Sequence, residues 1–88
     1  MEKKLKPRRS ELETWFLSEI AAHSERPISE LDPEQPFAAL GLDSTVIISL
    51  TGEMEDKWGL ELDPTLVFEY PSVSRLLTYL EAEGVVAA

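Results

Sequence analysis

The chain has 88 residues and a formal net charge of −9, from 8 basic and 17 acidic side chains. It is long enough for one small domain, whose modest core leaves little room for an enclosed enzyme pocket. The absence of cysteine excludes disulfides, cysteine nucleophiles and thiolate zinc sites, and it fits a reducing compartment such as the cytoplasm.

The first nine residues differ in charge from the rest of the chain. Residues 1–9 carry five basic side chains and one acidic one, Glu2, and we expect a flexible arm there. No apolar run follows it, so we expect no signal peptide. The remaining residues carry three basic and sixteen acidic side chains, a net charge of −13. Such a body repels nucleic-acid phosphates and attracts basic partner surfaces, although acidity can also serve solubility alone.

A first helix is predicted from Ser10, as N-cap, to about Ser24, because apolar residues recur at helical spacing: Leu12, Trp15, Phe16 and Ile20. The next segment, residues 25–43, contains three prolines and predicts a long loop. We expect its spread apolar residues to hold it against the core: Ile28, Leu31, Phe37 and Leu40.

A second helix is predicted from Ser44 to Lys57, with cap chemistry at Asp43 and a C-cap glycine at Gly59. At 100° per residue its core stripe is Ile47, Leu50, Thr51, Met54 and Trp58. Two other residues, Ile48 and Glu55, fall on the same flank as Ser44.

A short helical turn is predicted at 65–70, after Asp63–Pro64, and Pro71 ends it. Ser72 then caps a last helix that ends at Gly84 and has a stripe at Val73, Leu76, Leu77 and Leu80. No segment alternates with period two, and no apolar run approaches the ~20 residues of a membrane span. We therefore predict an all-α bundle of three main helices and one short one, in a monomeric domain over 10–84 with a tail at 85–88.

The segment Phe37-Ala-Ala-Leu-Gly-Leu-Asp-Ser44 carries the functional signal. It places a serine at the start of an amphipathic helix, after a long loop. The only histidine, His23, lies on another predicted helix, so no base is expected beside Ser44, and the serine fits a substrate of another enzyme better than a nucleophile. Asp-Ser before a helix is also an ordinary capping pair.

The wider pattern resembles acyl carrier proteins, and in particular polyketide-synthase carrier domains, over about residues 10–83. Besides the serine segment, it includes Ile28–Phe37 and Trp58–Val73. The resemblance implies a four-helix carrier bundle that is not an enzyme. It implies that Ser44 takes 4′-phosphopantetheine from coenzyme A, that Asp43 lies near the modifying enzyme's magnesium and coenzyme A, and that Leu42 packs beside the arm.

The resemblance also implies where partner enzymes dock. Glu55 and Asp56 match acidic positions that bind basic surfaces, although these carboxylates could equally form a solvated face. Thr45 stands where the family usually has leucine, and the turns after it are apolar rather than acidic. We therefore expect docking near Ser44 through Thr45 and Ile48, with an apolar contribution.

The partners implied are a phosphopantetheinyl transferase, an acyl-loading enzyme, and a ketosynthase or other assembly-line enzyme of polyketide or lipopeptide synthesis. We expect the loading enzyme to be either an acyltransferase or a fatty acyl-AMP ligase. The ligase is suggested by residues 48–56, which are similar to the same segment of carriers loaded by such ligases. Peptidyl carriers usually have Gly-Gly-x-Ser before the helix, so an aminoacyl cargo is disfavoured. The alternative is a carrier-like interaction module that is never modified.

Overall fold

The computed structural model describes residues 6–87 of the chain. Four helices lie along it: α1 (Arg9–Ser24), α2 (Ser44–Trp58), α3 (Leu66–Glu69) and α4 (Val73–Ala82). Two 3₁₀ turns, Ile28–Glu30 and Phe37–Leu40, interrupt the connection between α1 and α2. In this part of the chain extended pairing is limited to isolated bridges. The predicted all-α bundle of three main helices and one short helix is confirmed.

One hydrophobic core joins the helices, because α1 packs against both α2 and α4, and α3 packs against α2. The predicted faces of α2 and α4 are confirmed, and Leu50 and Leu77 at their centres are both fully buried. Trp58, the last member of the α2 stripe, is half-buried, and its ring meets that of Trp15 edge to face at 5.5 Å. The stripe therefore loses burial only at the C-terminal end of α2.

Contacts with α1 and with the loop between α3 and α4 hold the long connection between α1 and α2 in place. The ring of Phe37 stacks on Phe16 at 5.8 Å, and the Phe37 N–H donates to the carbonyl of Pro71 (2.8 Å). Leu31 and Leu40 are buried as predicted. The prediction for Ile28 is wrong: its side chain is 43% exposed, because it opens a surface 3₁₀ turn that contains no buried residue.

The start of α1 also differs from the prediction. Arg8, not Ser10, is the N-cap, because the Glu11 carboxylate accepts a hydrogen bond from the Arg8 N–H (2.9 Å) and the Arg9 N–H donates to the carbonyl of Ala87 (2.8 Å). A distant backbone acceptor thus satisfies a helix-end donor that has no intrahelical partner.

Backbone hydrogen bonds join the two ends of the described chain. The Ala87 N–H donates to the Pro7 carbonyl (2.9 Å), and both Pro7 and Val86 are buried. Nearby, the Arg9 guanidinium pairs with the Glu81 carboxylate at 3.0 Å. Residues 7–9 and 85–87 therefore belong to the folded body, while residues 1–5 of the predicted arm and residue 88 of the predicted tail lie outside the described residues.

Candidate functional site

Ser44 is the first residue of α2, and its side chain is exposed. The turn before it passes through Gly41, whose φ of +77° lies in the left-handed region that glycine adopts most easily. Asp43 then caps the helix, because its Oδ1 accepts a hydrogen bond from the Val46 N–H (3.0 Å). Capping is therefore done by Asp43, which leaves the hydroxyl of Ser44 at the surface.

An apolar groove of about 150 Å³ opens beside Ser44. Its walls come from the 3₁₀ turn before α2, residues 42–43, the start of α2, α3 and the loop after α3: Phe37, Ala38, Leu42, Asp43, Ser44, Ile47, Val67, Phe68 and Pro71. All of these lie in the described part of the chain, and among them Asp43 is the one titratable side chain. The groove thus combines an exposed hydroxyl with an apolar bed. The one carboxylate in its lining, Asp43, accepts the capping hydrogen bond from the Val46 N–H.

The far wall of the groove comes from α3 and was not predicted as part of the site. Val67 is buried, whereas Phe68 is 61% exposed although it lines the groove. One signal for it in the sequence is the run Leu66-Val67-Phe68 within a helix of four residues, because three consecutive apolar side chains cannot all face one core. Such a run indicates that one of the three lies at the surface.

A hydrogen-bonded turn sets the start of α3. The Asp63 Oδ1 accepts hydrogen bonds from the Thr65 N–H (2.9 Å) and the Thr65 hydroxyl (2.8 Å). These two bonds, the backbone bond first, hold the pKa of the exposed Asp63 carboxyl below its ordinary value, because they stabilise the charged form. At the other end of α3, the ring of Tyr70 stacks on Tyr79 of α4 at 4.5 Å.

The structure brings together only some of the predicted docking residues. Thr45 and Ile48 are exposed on the first turns of α2 beside Ser44. Glu55 and Asp56 lie about 16 Å or more further along the helix axis. Asp56 is exposed, but Glu55 is half-buried, and its carboxylate accepts a hydrogen bond from the Leu62 N–H (2.8 Å).

Two further properties bear on what the site can do. In residues 6–87 no three or more histidine, aspartate or glutamate side chains converge in a way that could hold a metal ion. None of the described helices is both long and apolar enough to cross a membrane.

Comparison with known proteins places this geometry in a family. The family model described as "Phosphopantetheine attachment site" matches residues 14–80, which include Ser44 and all the residues that line the groove. Among curated relatives, the chain is 43% identical over 72 residues to one of the subunits of the phenolphthiocerol/phthiocerol polyketide synthase of Mycobacterium tuberculosis. That match covers 82% of this chain and 4% of the much longer synthase polypeptide.

Solved structures give the same result. A free-standing peptidyl carrier protein from Acinetobacter baumannii superposes with a TM-score of 0.74 at 34% identity, covering 86% of this chain and 95% of that one. An acyl carrier protein from Anabaena with a variant phosphopantetheinylation-site sequence superposes with a TM-score of 0.76 at 28% identity, covering 98% of each chain.

Proposed function

The chain belongs to the family of phosphopantetheine attachment sites, and on this premise we propose that Ser44 is the residue that takes 4′-phosphopantetheine. The observation that carries the proposal is the exposed hydroxyl at the first position of α2, on the edge of an apolar groove. Other serines lack this combination. Ser72 is only 1% exposed, since its hydroxyl caps α4 by accepting from the Arg75 N–H.

The attachment itself is a phosphoryl-group transfer. The Ser44 Oγ forms a bond to the β-phosphorus of coenzyme A, the bond from that phosphorus to the nucleotide oxygen breaks, and adenosine 3′,5′-bisphosphate leaves. The transferase supplies the base that removes the hydroxyl proton. The product phosphodiester would lie at the N-terminus of α2, where backbone N–H groups without intrahelical partners and the helix dipole stabilise negative charge. We propose that Asp43 lies near the transferase's magnesium and coenzyme A.

The groove fits the arm that Ser44 would carry. The phosphopantetheine group supplies a terminal thiol that holds an acyl chain as a thioester. Leu42 and Ile47 on one side and Val67 and Phe68 on the other offer an apolar bed for the arm or for the start of its acyl chain. Because the lining includes no nucleophile paired with a base, we propose that the chain is a non-catalytic carrier.

Three kinds of partner follow from this role. They are a phosphopantetheinyl transferase, an acyl-loading enzyme, and a ketosynthase or other assembly-line enzyme. The polyketide synthase to which the chain is similar supports a place in polyketide or lipopeptide synthesis. We propose an acyltransferase or a fatty acyl-AMP ligase as loading enzyme, thioester-bound acyl groups as cargo, and a monomer in the cytoplasm as the working form.

The test is the intact mass of the protein after incubation with coenzyme A and a promiscuous phosphopantetheinyl transferase. Wild type is expected to gain one phosphopantetheine group, and Ser44→Ala none. Ser49→Ala is the matched control, because Ser49 is also exposed on α2, and it is expected to gain one group. Modification of Ser44→Ala would show that another serine is the site. An unmodified wild type would favour the unmodified interaction module.

A further inference from the structure

The connection from α2 to α3, residues 59–65, is fastened to a single residue of α2. The Glu55 carbonyl accepts hydrogen bonds from the N–H groups of Gly59, which caps the helix, and Leu60 (3.0 Å). The Glu55 carboxylate reaches further and accepts from the Leu62 N–H at 2.8 Å. Both oxygen-bearing groups of Glu55 therefore hold the path of the chain as it leaves α2.

The fastened segment leads directly to the groove beside Ser44. Leu62 is half-buried against the core, and the Asp63–Thr65 turn fixes the next residues. The chain then enters α3, where Val67 and Phe68 form the far wall of the groove. The Glu55–Leu62 hydrogen bond thus anchors the chain before α3, and the stacking of Tyr70 on Tyr79 of α4 anchors it after α3.

We propose that Glu55 is a positioning residue, which sets the place of α3, and so the width of the groove beside Ser44, through its hydrogen bond to Leu62. The inference rests on the proposed function of Ser44 and deepens it. Glu55 then acts inside the domain, although its position on α2 also matches a family docking site. The proposal depends on a side-chain oxygen that can reach the Leu62 N–H, more than on the negative charge of that side chain.

Two conservative variants separate the effect of side-chain length at position 55 from the effect of its negative charge. Glu55→Gln removes the charge but keeps a side-chain oxygen that can accept from the Leu62 N–H. Glu55→Asp keeps the charge but is one methylene shorter, so it loses the 2.8 Å contact. Asp56→Ala is the control, because it removes the neighbouring exposed charge without touching the connection.

The first measurement is amide hydrogen exchange by NMR on the unmodified 88-residue chain. Glu55→Asp is expected to speed exchange of the Leu62 amide by up to roughly tenfold, the value of one lost hydrogen bond, and to shift the Val67 and Phe68 amide resonances. Glu55→Gln is expected to speed exchange less than Glu55→Asp, because the amide oxygen still accepts the bond without its charge, and Asp56→Ala is expected to leave exchange close to the wild-type rate. Unchanged Leu62 exchange in Glu55→Asp, or equal effects of Glu55→Gln and Glu55→Asp, would overturn the proposal.

The second measurement tests how well the groove protects an acyl thioester from water. Octanoyl-coenzyme A and the promiscuous transferase would place an octanoylated arm on Ser44, and the rate of thioester hydrolysis in buffer is then followed by mass. Faster hydrolysis is expected in Glu55→Asp but not in Glu55→Gln, while equal rates in both would overturn the link to the groove. If wild type takes no arm, the proposed function fails, and the exchange data on the unmodified chain still decide whether Glu55 positions α3.

Discussion

At the scale of single residues, the start of α2 divides two tasks between neighbours. Asp43 satisfies a backbone N–H that the helix itself cannot pair, and Ser44 is left outside with its hydroxyl exposed. A serine that served as the cap would turn its oxygen toward the backbone. The Asp-Ser order therefore allows both interpretations of this dipeptide to hold, because Asp43 caps the helix while Ser44 presents its hydroxyl at the surface.

The cap makes a prediction about stability. Asp43→Ala is expected to lower the free energy of unfolding by about 1 kcal/mol, because the Val46 N–H loses its acceptor. Asp43→Asn keeps a side-chain oxygen and is expected to lose less. Urea denaturation checks both, with Asp56→Ala as an exposed acidic control on the same helix. Equal stability of Asp43→Ala and wild type would show that the capping bond contributes nothing.

The Asp63–Thr65 turn predicts a pH dependence. Because hydrogen bonds from Thr65 lower the folded-state pKa of Asp63, the charged form stabilises the fold. This contribution is present above the ordinary aspartate pKa of about 4 and is lost as the pH falls through the lower folded value.

Thr65→Ala removes the hydroxyl donor but keeps the N–H, so the pKa of Asp63 is expected to rise toward its ordinary value without reaching it. Carboxyl carbon chemical shifts followed through an acid titration give both values. An unchanged pKa in Thr65→Ala would assign the whole effect to the backbone donor.

At the scale of elements, the sequence predicts best where local chemistry and hydrophobic period agree. The bounds of α2 agree with the prediction except that the helix extends one residue further, to Trp58. The agreement is close because the apolar stripe of α2 and both of its caps lie next to each other in the sequence. The cap of α4 at Ser72 is confirmed for the same reason. The start of α1 was missed, because the acceptor at Ala87 is remote in sequence and no local pattern points to it.

The same limit applies to the candidate site. A contiguous motif predicts Ser44 and Leu42 as residues of the candidate site. The contribution of Phe68 depends on how the four-residue helix α3 packs, which no local sequence pattern predicts. The Glu55–Leu62 bond was missed as well, because a separation of seven residues across a helix end matches no helical or strand period. Ile28 shows the converse, since an apolar loop residue carries no signal for which side of its turn faces the core.

The packing of α2 and α4 predicts large effects at their centres. Leu50→Ala and Leu77→Ala are each expected to lower the free energy of unfolding by roughly 2–5 kcal/mol, because both side chains are fully buried. Ser49→Ala and Thr78→Ala, exposed neighbours on the same two helices, are the matched controls and are expected to change it by less than about 0.5 kcal/mol. Thermal melts compare all four. A small loss at Leu50 or Leu77 would mean that the helix faces are rotated from those described.

At the scale of the whole molecule, the ends of the described chain act as part of the fold. Val86 is only 3% exposed and lies beyond the last helix, next to the backbone bonds between Ala87 and residues 7 and 9. Val86→Ala is expected to cost roughly 1.5 kcal/mol, from two buried carbon atoms at about 0.8 kcal/mol each. The exposed neighbour Glu83 serves as control through Glu83→Ala. Equal melting temperatures for the two variants would show that residues 85–87 do not contribute to the stability of the fold.

We propose that exposed apolar side chains near Ser44 set where a loading partner docks. Ile48 is 38% exposed about one helical turn after Ser44 on α2, and Phe68, which lines the groove, is 61% exposed. Apolar side chains at the centre of an interface set most of its affinity. An acyl-loading enzyme that reaches the thiol must approach this surface.

Ile48→Ala and Phe68→Ala are therefore expected to slow acyl loading by the cognate enzyme by about tenfold each, the effect of losing roughly 1.4 kcal/mol of contact, with little change in melting temperature. Loading is measured on protein that already carries its arm, because the transferase must approach the same serine. Ile28→Ala is the matched control, since Ile28 is an isoleucine of similar exposure (43%) on the loop before the groove. If Ile28→Ala slows loading and Ile48→Ala does not, the partner docks on that loop and α2 is not the recognition face.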